Sequence, residues 1–411
     1  MLVNKAYKVE LHPNNKQRNA LARSAGCARF AYNWGLNQRI ELYKLEKKST
    51  TAYTQHKDLC KLKDSLYPWM YESTKCAPQE ALRDLDKAFK NFFRGIKTGQ
   101  KIGYPKFKKK NINDSFRIST GSIYITKSSI KLPNIKSPIR FKEKGYIPLE
   151  GIKYNSYTVK KESNRWYLSV QVEEFISDPI LKPEEVIGVD LGIKTLATVS
   201  DGSTYDNPKA LNKLERRLKQ KQREVSRRKK GSRNRYKSIK LLQVKHKNVS
   251  NVRKDSIHKM TSTVVKTKPQ IIVIEDLSVK NMMKNHKLSK SLSDVAFGEI
   301  RRQFTYKSLW YGSELIEADR FFPSSKLCSV CGQVKEDLTL KDRTYECNCG
   351  NIVDRDLNAA INLKRYGEFH RSLSNQKACG EERFSPIAVL RTAKGGALQR
   401  SRKETSNLSF G

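Results

Sequence analysis

Val186-Ile-Gly-Val-Asp190-Leu-Gly-Ile-Lys-Thr-Leu-Ala-Thr-Val-Ser-Asp-Gly202 reads as a buried strand ending in a carboxylate, a turn and a second strand. Strand alternation puts Asp190 on the face of Val186 and Gly188. An acid inside so apolar a run is costly unless it binds something. Gly192, with no side chain, would let a ligand approach the backbone. The same pattern returns in Pro269-Gln-Ile-Ile-Val-Ile-Glu275-Asp-Leu277, an apolar run like a central parallel strand, ending at Glu275. Asp276 points to the opposite face and suits a cap on the following turn. A third acid stands in Asn351-Ile-Val-Asp354-Arg-Asp356-Leu-Asn-Ala-Ala-Ile-Asn-Leu363. There Leu357, Ala360 and Ile361 give a helix its buried stripe, Asp354 takes the N-cap position, and Asp356 in the first turn is the functional acid.

Acids in the order strand-Asp, strand-Glu, helix-Asp are what a two-metal nuclease needs. Two Mg²⁺ ions take oxygen ligands, and such pairs activate an attacking water and stabilise a leaving oxygen. The rest of the chain suits a polyanionic substrate. Its 411 residues carry 82 Lys and Arg against 41 Asp and Glu, a net charge of +41. Self-repulsion on that scale is relieved by a nucleic acid through counterion release. The hydrophobic fraction of 37% is enough for two or three cores, so a disordered chain is excluded. The longest purely apolar run, Ile271–Ile274, is far below the ~20 residues that span a bilayer. The N-terminus has no signal-peptide pattern, so an intracellular protein is expected.

The charge is unevenly spread. Between the first two acids, Lys209 to Lys254 holds 19 Lys and Arg against Glu215 and Glu224 alone. Leu211, Leu214 and Leu218 keep a helical seam, and Gly231-Ser-Arg-Asn-Arg235 marks a turn. A helical hairpin tracking nucleic acid is expected, with Arg216, Arg217, Arg227, Arg228, Lys229, Lys230 and Arg233 as candidate contacts. A second basic passage, Gly95 to Lys110, interleaves Lys106 and Lys108 with Tyr104 and Phe107, a mixture suited to phosphate contact and base stacking.

Of eight cysteines, Cys328, Cys331, Cys347 and Cys349 crowd one window, while Cys27, Cys60, Cys76 and Cys379 are scattered. Cys328-Ser-Val-Cys331-Gly followed by Cys347-Asn-Cys349-Gly predicts one closed, structural Zn²⁺ site with no catalytic role. There is no P-loop, so no ATP-driven motor is indicated, and the six histidines form no metal-ligating cluster.

Upstream, Leu82, Leu85, Phe89 and Phe92 recur at helical spacing within a helical region of about 15 to 95. From about 115 to 178 the period falls to two, as in Trp166, Leu168, Val170 and Val172, and short strands between turns imply a small antiparallel barrel or sandwich. Ala6 to His12 should join that sheet, making the helical region an insertion into a β domain.

Taken together, Gly188-Val-Asp-Leu-Gly-Ile-Lys194, Val273-Ile-Glu-Asp-Leu277, Phe322-Pro-Ser-Ser-Lys-Leu-Cys-Ser-Val-Cys-Gly332 and Asp354 to Leu363 resemble the TnpB (OrfB) family. Its members are encoded by bacterial and archaeal insertion sequences and are related to type V CRISPR effectors. Tyr7, Pro13, Gln17, Tyr32-Asn33 and Tyr104-Pro-Lys-Phe-Lys108 are also similar to the family.

The resemblance implies an α+β multidomain chain. A wedge β-barrel domain (1–14 and 115–180) would carry a helical recognition insertion (15–114). An RNase H-like RuvC nuclease domain (181–320 and 350–370) would include the basic hairpin (209–265) and a zinc-ribbon insertion (321–349). A basic, disordered tail (371–411) would follow. It implies Asp190, Glu275 and Asp356 as catalytic ligands of two Mg²⁺ ions. It further implies an RNA-guided DNA endonuclease: a monomer holding a guide RNA from the transposon end, cutting double-stranded target DNA beside a short motif in a prokaryotic cytoplasm, associated with the nucleoid. Two alternatives use the same sequence differently, a guide-independent transposition nuclease or resolvase and a non-enzymatic regulator of transposition.

Overall fold

The structure, a computed structural model, describes residues 1–339 and 342–378. It divides into two compact units, Met1–Ser177 with Lys221–Val244, and Asp178–Gln220 with the chain from Lys245.

The first unit opens with β1 (Leu2–His12), then α1 (Asn15–Glu46), α2 (Ala52–Ser65) and α3 (Cys76–Lys97). Further strands follow: β2 (Ser115–Ile118), β3 (Tyr124–Ile125), β4 (Ser129–Lys131), β5 (Ile139–Phe141), β6 (Ile152–Glu162) and β7 (Arg165–Phe175). Asn14 starts α1 with a capping box, its side chain accepting from Gln17 N while the Gln17 side chain accepts from Asn14 N. The Gln17 amide also donates to Ser137 Oγ and Pro138 O, both at 3.0 Å, which ties the helix start to the sheet.

The expected joining of the first strand and the helical insertion are both found. β1 pairs antiparallel with β7 from Leu2↔Phe175 to Leu11↔Trp166. The small barrel or sandwich expected from the alternation is an open sheet. The ladder runs β2-β6-β7-β1-β5-β4-β3 and stays open, a half-barrel with β2 and β3 at its edges. The physical reason is the insertion itself. Leu21, Leu36, Leu82 and Leu85 of α1 and α3 share one core with Ile118, Ile130, Leu168 and Val170, so helices cover the apolar face that a closing sheet would cover.

In the second unit, β8 (Lys182–Asp190), β9 (Thr195–Val199) and β10 (Thr204–Asp206) are antiparallel neighbours. A helical pair, α4 (Ala210–Arg227) and α5 (Arg233–Lys266), whose Lys221–Val244 part belongs to the first unit, leads to β11 (Pro269–Glu275). Then come α6 (Val279–Met282), α7 (His286–Val295), α8 (Phe297–Tyr311) and β12 (Glu314–Ala318). The sheet order is β10-β9-β8-β11-β12, with β11 parallel to both β8 and β12. After the cysteine window, β13 (Thr344–Glu346) and β14 (Ile352–Asp354) make a small ladder before α9 (Arg355–Ala378).

Strand alternation divides the sheet cleanly. Ile187, Val189, Ile272 and Ile274 pack with Ile257, Met260, Ile300 and Phe304 of α5 and α8. Val186, Ile271, Val273 and Ile316 face the other way, against Leu363 of α9. Helix α9 continues to Ala378, so 371–378 are helical rather than the start of a disordered tail; 379–411, with Cys379, lie outside the described residues. No described helix is long and apolar enough to cross a membrane.

Candidate active site and metal centre

Asp190 and Glu275 end adjacent parallel strands. The register Val189↔Ile274 makes the next positions on the two strands Asp190 and Glu275, on the face of Val186 and Val273. Asp356 is brought to them by α9. At Gly188 an added Cβ would lie 2.0 Å from Ala360 O and 2.5 Å from Lys364 N, so the helix backbone rests directly on the strand. At Gly367 it would lie 2.6 Å from Val273 Cγ2, so the helix is close to the sheet from both partners. Asp354 Oδ1 accepts from Asp356 N at 2.9 Å and Leu357 N at 3.1 Å, as expected of the cap, and leaves Asp356 to the first turn.

All three acids are half-buried. Burial, then the negative charges of Glu275 and Asp356, raise the Asp190 carboxyl well above the usual range. Burial also raises Glu275, partly offset by the hydroxyl of Ser324, which donates to its Oε1, and by the positive charge of Arg355. Acids that repel one another in an apolar setting hold their charge at a cost, and a cation relieves it.

The four cysteines form the other centre. Among the described residues they are the set whose ligating atoms all lie within 4.8 Å of one another. Cys328 and Cys349 sulfurs are 3.7 Å apart, and Cys331 and Cys347 sulfurs 3.5 Å. Four sulfurs around one tetrahedral ion at about 2.3 Å would be about 3.8 Å apart, close to these two pairs, so the set suits one such ion. Burial alone would raise the Cys328 thiol. Backbone N–H groups of Cys331 and Val330 and the amide of Asn351 outweigh that and bring it down to about 6, favouring thiolate.

The basic candidates are distributed as follows. Arg216, Arg217 and Arg227 on α4, Lys229 and Lys230 in the turn, and Arg233 opening α5 are exposed. Arg228 is instead half-buried on Glu224, at 3.0 Å. Lys106 is exposed. Lys108 holds its amine 3.9 Å from the ring centre of Tyr32, while its backbone N–H and carbonyl both bond the Asn33 side chain, at 2.8 and 2.9 Å. Tyr32-Asn33 and Tyr104 to Lys108 are thus two halves of one contact.

Three sequence readings change. Gly192 is required by its own turn, since a Cβ there would meet Thr195 O at 2.7 Å. Asp276 is paired with Arg320 and Arg301 rather than capping a turn. The buried stripe of α9 is Asn358, Ala359, Ala360, Asn362 and Leu363, with Leu357 and Ile361 only half-buried. Sequence reasoning also missed Ser324 as the partner of Glu275 and the two buried asparagines. Their spacing of four on a helix, beside Ala359, Ala360 and Leu363, was the available signal.

Family comparisons cover most of the chain. The OrfB_IS605 family, described as "Probable transposase", matches residues 159–286. A "Cas12f1-like, TNB domain" matches 297–363, and a "Helix-turn-helix domain" of the same transposase group matches 1–48, which here is a strand followed by one long helix. A Streptomyces pristinaespiralis protein named "Putative RNA-guided DNA endonuclease" is 33% identical over 99% of this chain and 98% of its own. Escherichia coli K12 InsQ, named in the same way, is 31% identical over 92% of this chain and 94% of its own. A solved structure titled "Cryo-EM structure of the Cas12f1-sgRNA-target DNA complex" is similar in fold, with TM-score 0.55 at 16% identity, covering 88% of this chain and 99% of that one. With near-complete coverage at this identity, and with the motif acids gathered at one end of one sheet, the chain belongs to the TnpB (OrfB) family.

Proposed function

We propose that this protein is an RNA-guided DNA endonuclease that hydrolyses phosphodiester bonds of target DNA at Asp190, Glu275 and Asp356, next to a short adjacent motif. The observation that carries the reading is the convergence of three half-buried carboxylates at matched strand ends and a helix start. The guide and the DNA substrate are carried over from the relatives' names; the solved complex supports only the fold.

The β10-β9-β8-β11-β12 order, with β11 parallel to β8, supports an RNase H-like, RuvC-type domain over 181–320 and 350–370. The half-barrel and its helices support a wedge (1–14, 115–180) with a recognition insertion (15–114). The three acids are oxygen donors with uncompensated charge and suit Mg²⁺. Two bound Mg²⁺ ions would supply an activated water and stabilisation of the leaving oxygen. The chain's own part is to aim the carboxylates. Ser324 fixes the Glu275 carboxyl, α9 seats Asp356 against β8, and the apolar floor of Val186 and Val273 limits water below them. The four cysteines would hold one structural Zn²⁺, leaving no open position for chemistry. Exposed cations of the α4–α5 hairpin would contact phosphates of guide RNA or double-stranded DNA.

The protein would work as a monomeric ribonucleoprotein with an RNA from its transposon end, in the cytoplasm and on the nucleoid. Purification from cells carrying the native locus, sequencing of bound RNA and plasmid cleavage in Mg²⁺ or EDTA test this together. One discrete RNA and Mg²⁺-dependent cuts at guide-matched sites are expected. Cleavage without any bound RNA would favour the resolvase alternative, and no cleavage would favour a regulator.

A further inference from the structure

The segment Ser324–Ser329 touches both centres at once. Ser324 Oγ donates to Glu275, and Cys328 is a member of the sulfur cluster. Between those ends the segment is fastened to α9, the helix that bears Asp356. Asn362 Nδ2 donates to Ser324 O at 2.7 Å and to Leu327 O at 2.6 Å. Asn358 Nδ2 donates to Leu327 O at 2.7 Å, and Asn358 Oδ1 accepts from Ser329 N at 2.9 Å. The two amides therefore grip the backbone on both sides of Cys328.

Both asparagines are fully buried, where a polar side chain is kept only for its bonds. Asn362 is not even well satisfied. Its Oδ1 is buried with no hydrogen-bond partner, a loss that a site arranged for stability alone would avoid. The amide is held for its N–H groups, which set where Ser324 and Leu327 lie. An apolar residue of similar size would fill the space but would not fix the segment's register against the helix.

We propose that Asn358 and Asn362 are positioning residues that couple occupancy of the four-cysteine site to cation binding by Asp190, Glu275 and Asp356. This rests on the reading of the three acids as a cation site. An occupied sulfur cluster fixes Cys328, and with it Leu327 O and Ser329 N. The amides transmit that placement to α9, and Ser324 transmits it to Glu275. A merely structural clamp would change thermal stability and leave cation affinity at the acids alone.

The test uses the full chain and Mn²⁺, whose binding is read by electron paramagnetic resonance independently of cleavage. Asn362→Leu should weaken Mn²⁺ binding about tenfold, the low end for loss of a group that orients a metal ligand. Its zinc should also leave faster to a chelator. Wild-type protein stripped of zinc should show the same weakening, which keeps the question open to decision should the variant not fold. Unchanged Mn²⁺ affinity in the stripped wild type and in folded Asn362→Leu overturns the coupling. Unchanged Mn²⁺ affinity in Asp190→Ala overturns the acid site itself, a distinct result.

Discussion

In the mixed sheet, Asp190 and Glu275 stand beside one another and near Asp356 over an apolar floor, and burial raises both carboxyls. In the basic hairpin the opposite holds. Lys290 and Lys219 bond Glu215, Lys221 and Ser238 bond Glu224, and each is drawn down to about 2. Eighty-two cations would suffice to neutralise all 41 acids, yet the sheet acids are left to repel one another. A carboxylate surrounded by lysines is structural; one kept among acids in a chain this basic is what the proposed cation site calls for. The same contrast separates a residue whose loss should abolish activity from one whose loss should only loosen a helix.

The largest effect should come from the sheet. Asp190→Ala or Glu275→Ala should lower DNA cleavage by roughly 10³–10⁴-fold, the scale seen when one member of a catalytic set is removed. RNA and DNA binding, measured by filter retention, should stay near wild type; lost binding in a folded variant would count against the assignment. Next, Cys328→Ser with Cys331→Ser should abolish zinc content by metal analysis and lower Tm, because metal binding free energy is folding free energy. Full zinc retention would refute the ribbon.

A smaller, graded effect is expected in the hairpin cations. Replacing Arg227, Lys229, Lys230 and Arg233 by Ala should flatten the salt dependence of DNA binding, with a slope change of about 0.7–0.9 for each phosphate no longer neutralised. An unchanged slope would remove these residues from the interface. The smallest effect should come from Glu224→Gln. Because its folded pKa of about 2 lies below the usual 4.5, Glu224 stabilises fully above pH 4.5 and loses that contribution as pH falls towards 2. Helicity of wild type and variant, followed by circular dichroism, should therefore differ at pH 6 and converge near pH 2. Asp190 has the opposite sign. Its raised carboxyl makes the metal-free fold less stable as pH climbs out of the ordinary carboxylate range, and a bound divalent ion removes that penalty.

Apolar runs that end in acids were readable because strands β8 and β11 alternate faithfully and their ends are fixed by parallel register. The cysteine window was readable because ligand spacing is local. Helix α9 was misread for a physical reason: hydrophobicity places Leu357 and Ile361 inside, but the buried bonds of Asn358 and Asn362 rotate the helix so that those two are half-exposed. Ser324 reaches Glu275 across 49 positions, a pairing that no local pattern encodes. Strand periodicity alone reaches only a barrel or sandwich, because it does not register that α1 and α3 cover the sheet's apolar face.

Pairing β1 with β7 sets a timetable for synthesis. The strand Leu2–His12 is made well before its partner, which ends at Phe175. At roughly 5–20 residues per second, that partner is completed about 9–35 s later. During the interval the stretch bearing Val3 and Val9 has no strand partner, since the earlier β5 pairs only with Leu11 and His12, while α1, α2 and α3 already have local contacts available. The nascent chain is thus most open to wrong pairing through Leu2–His12.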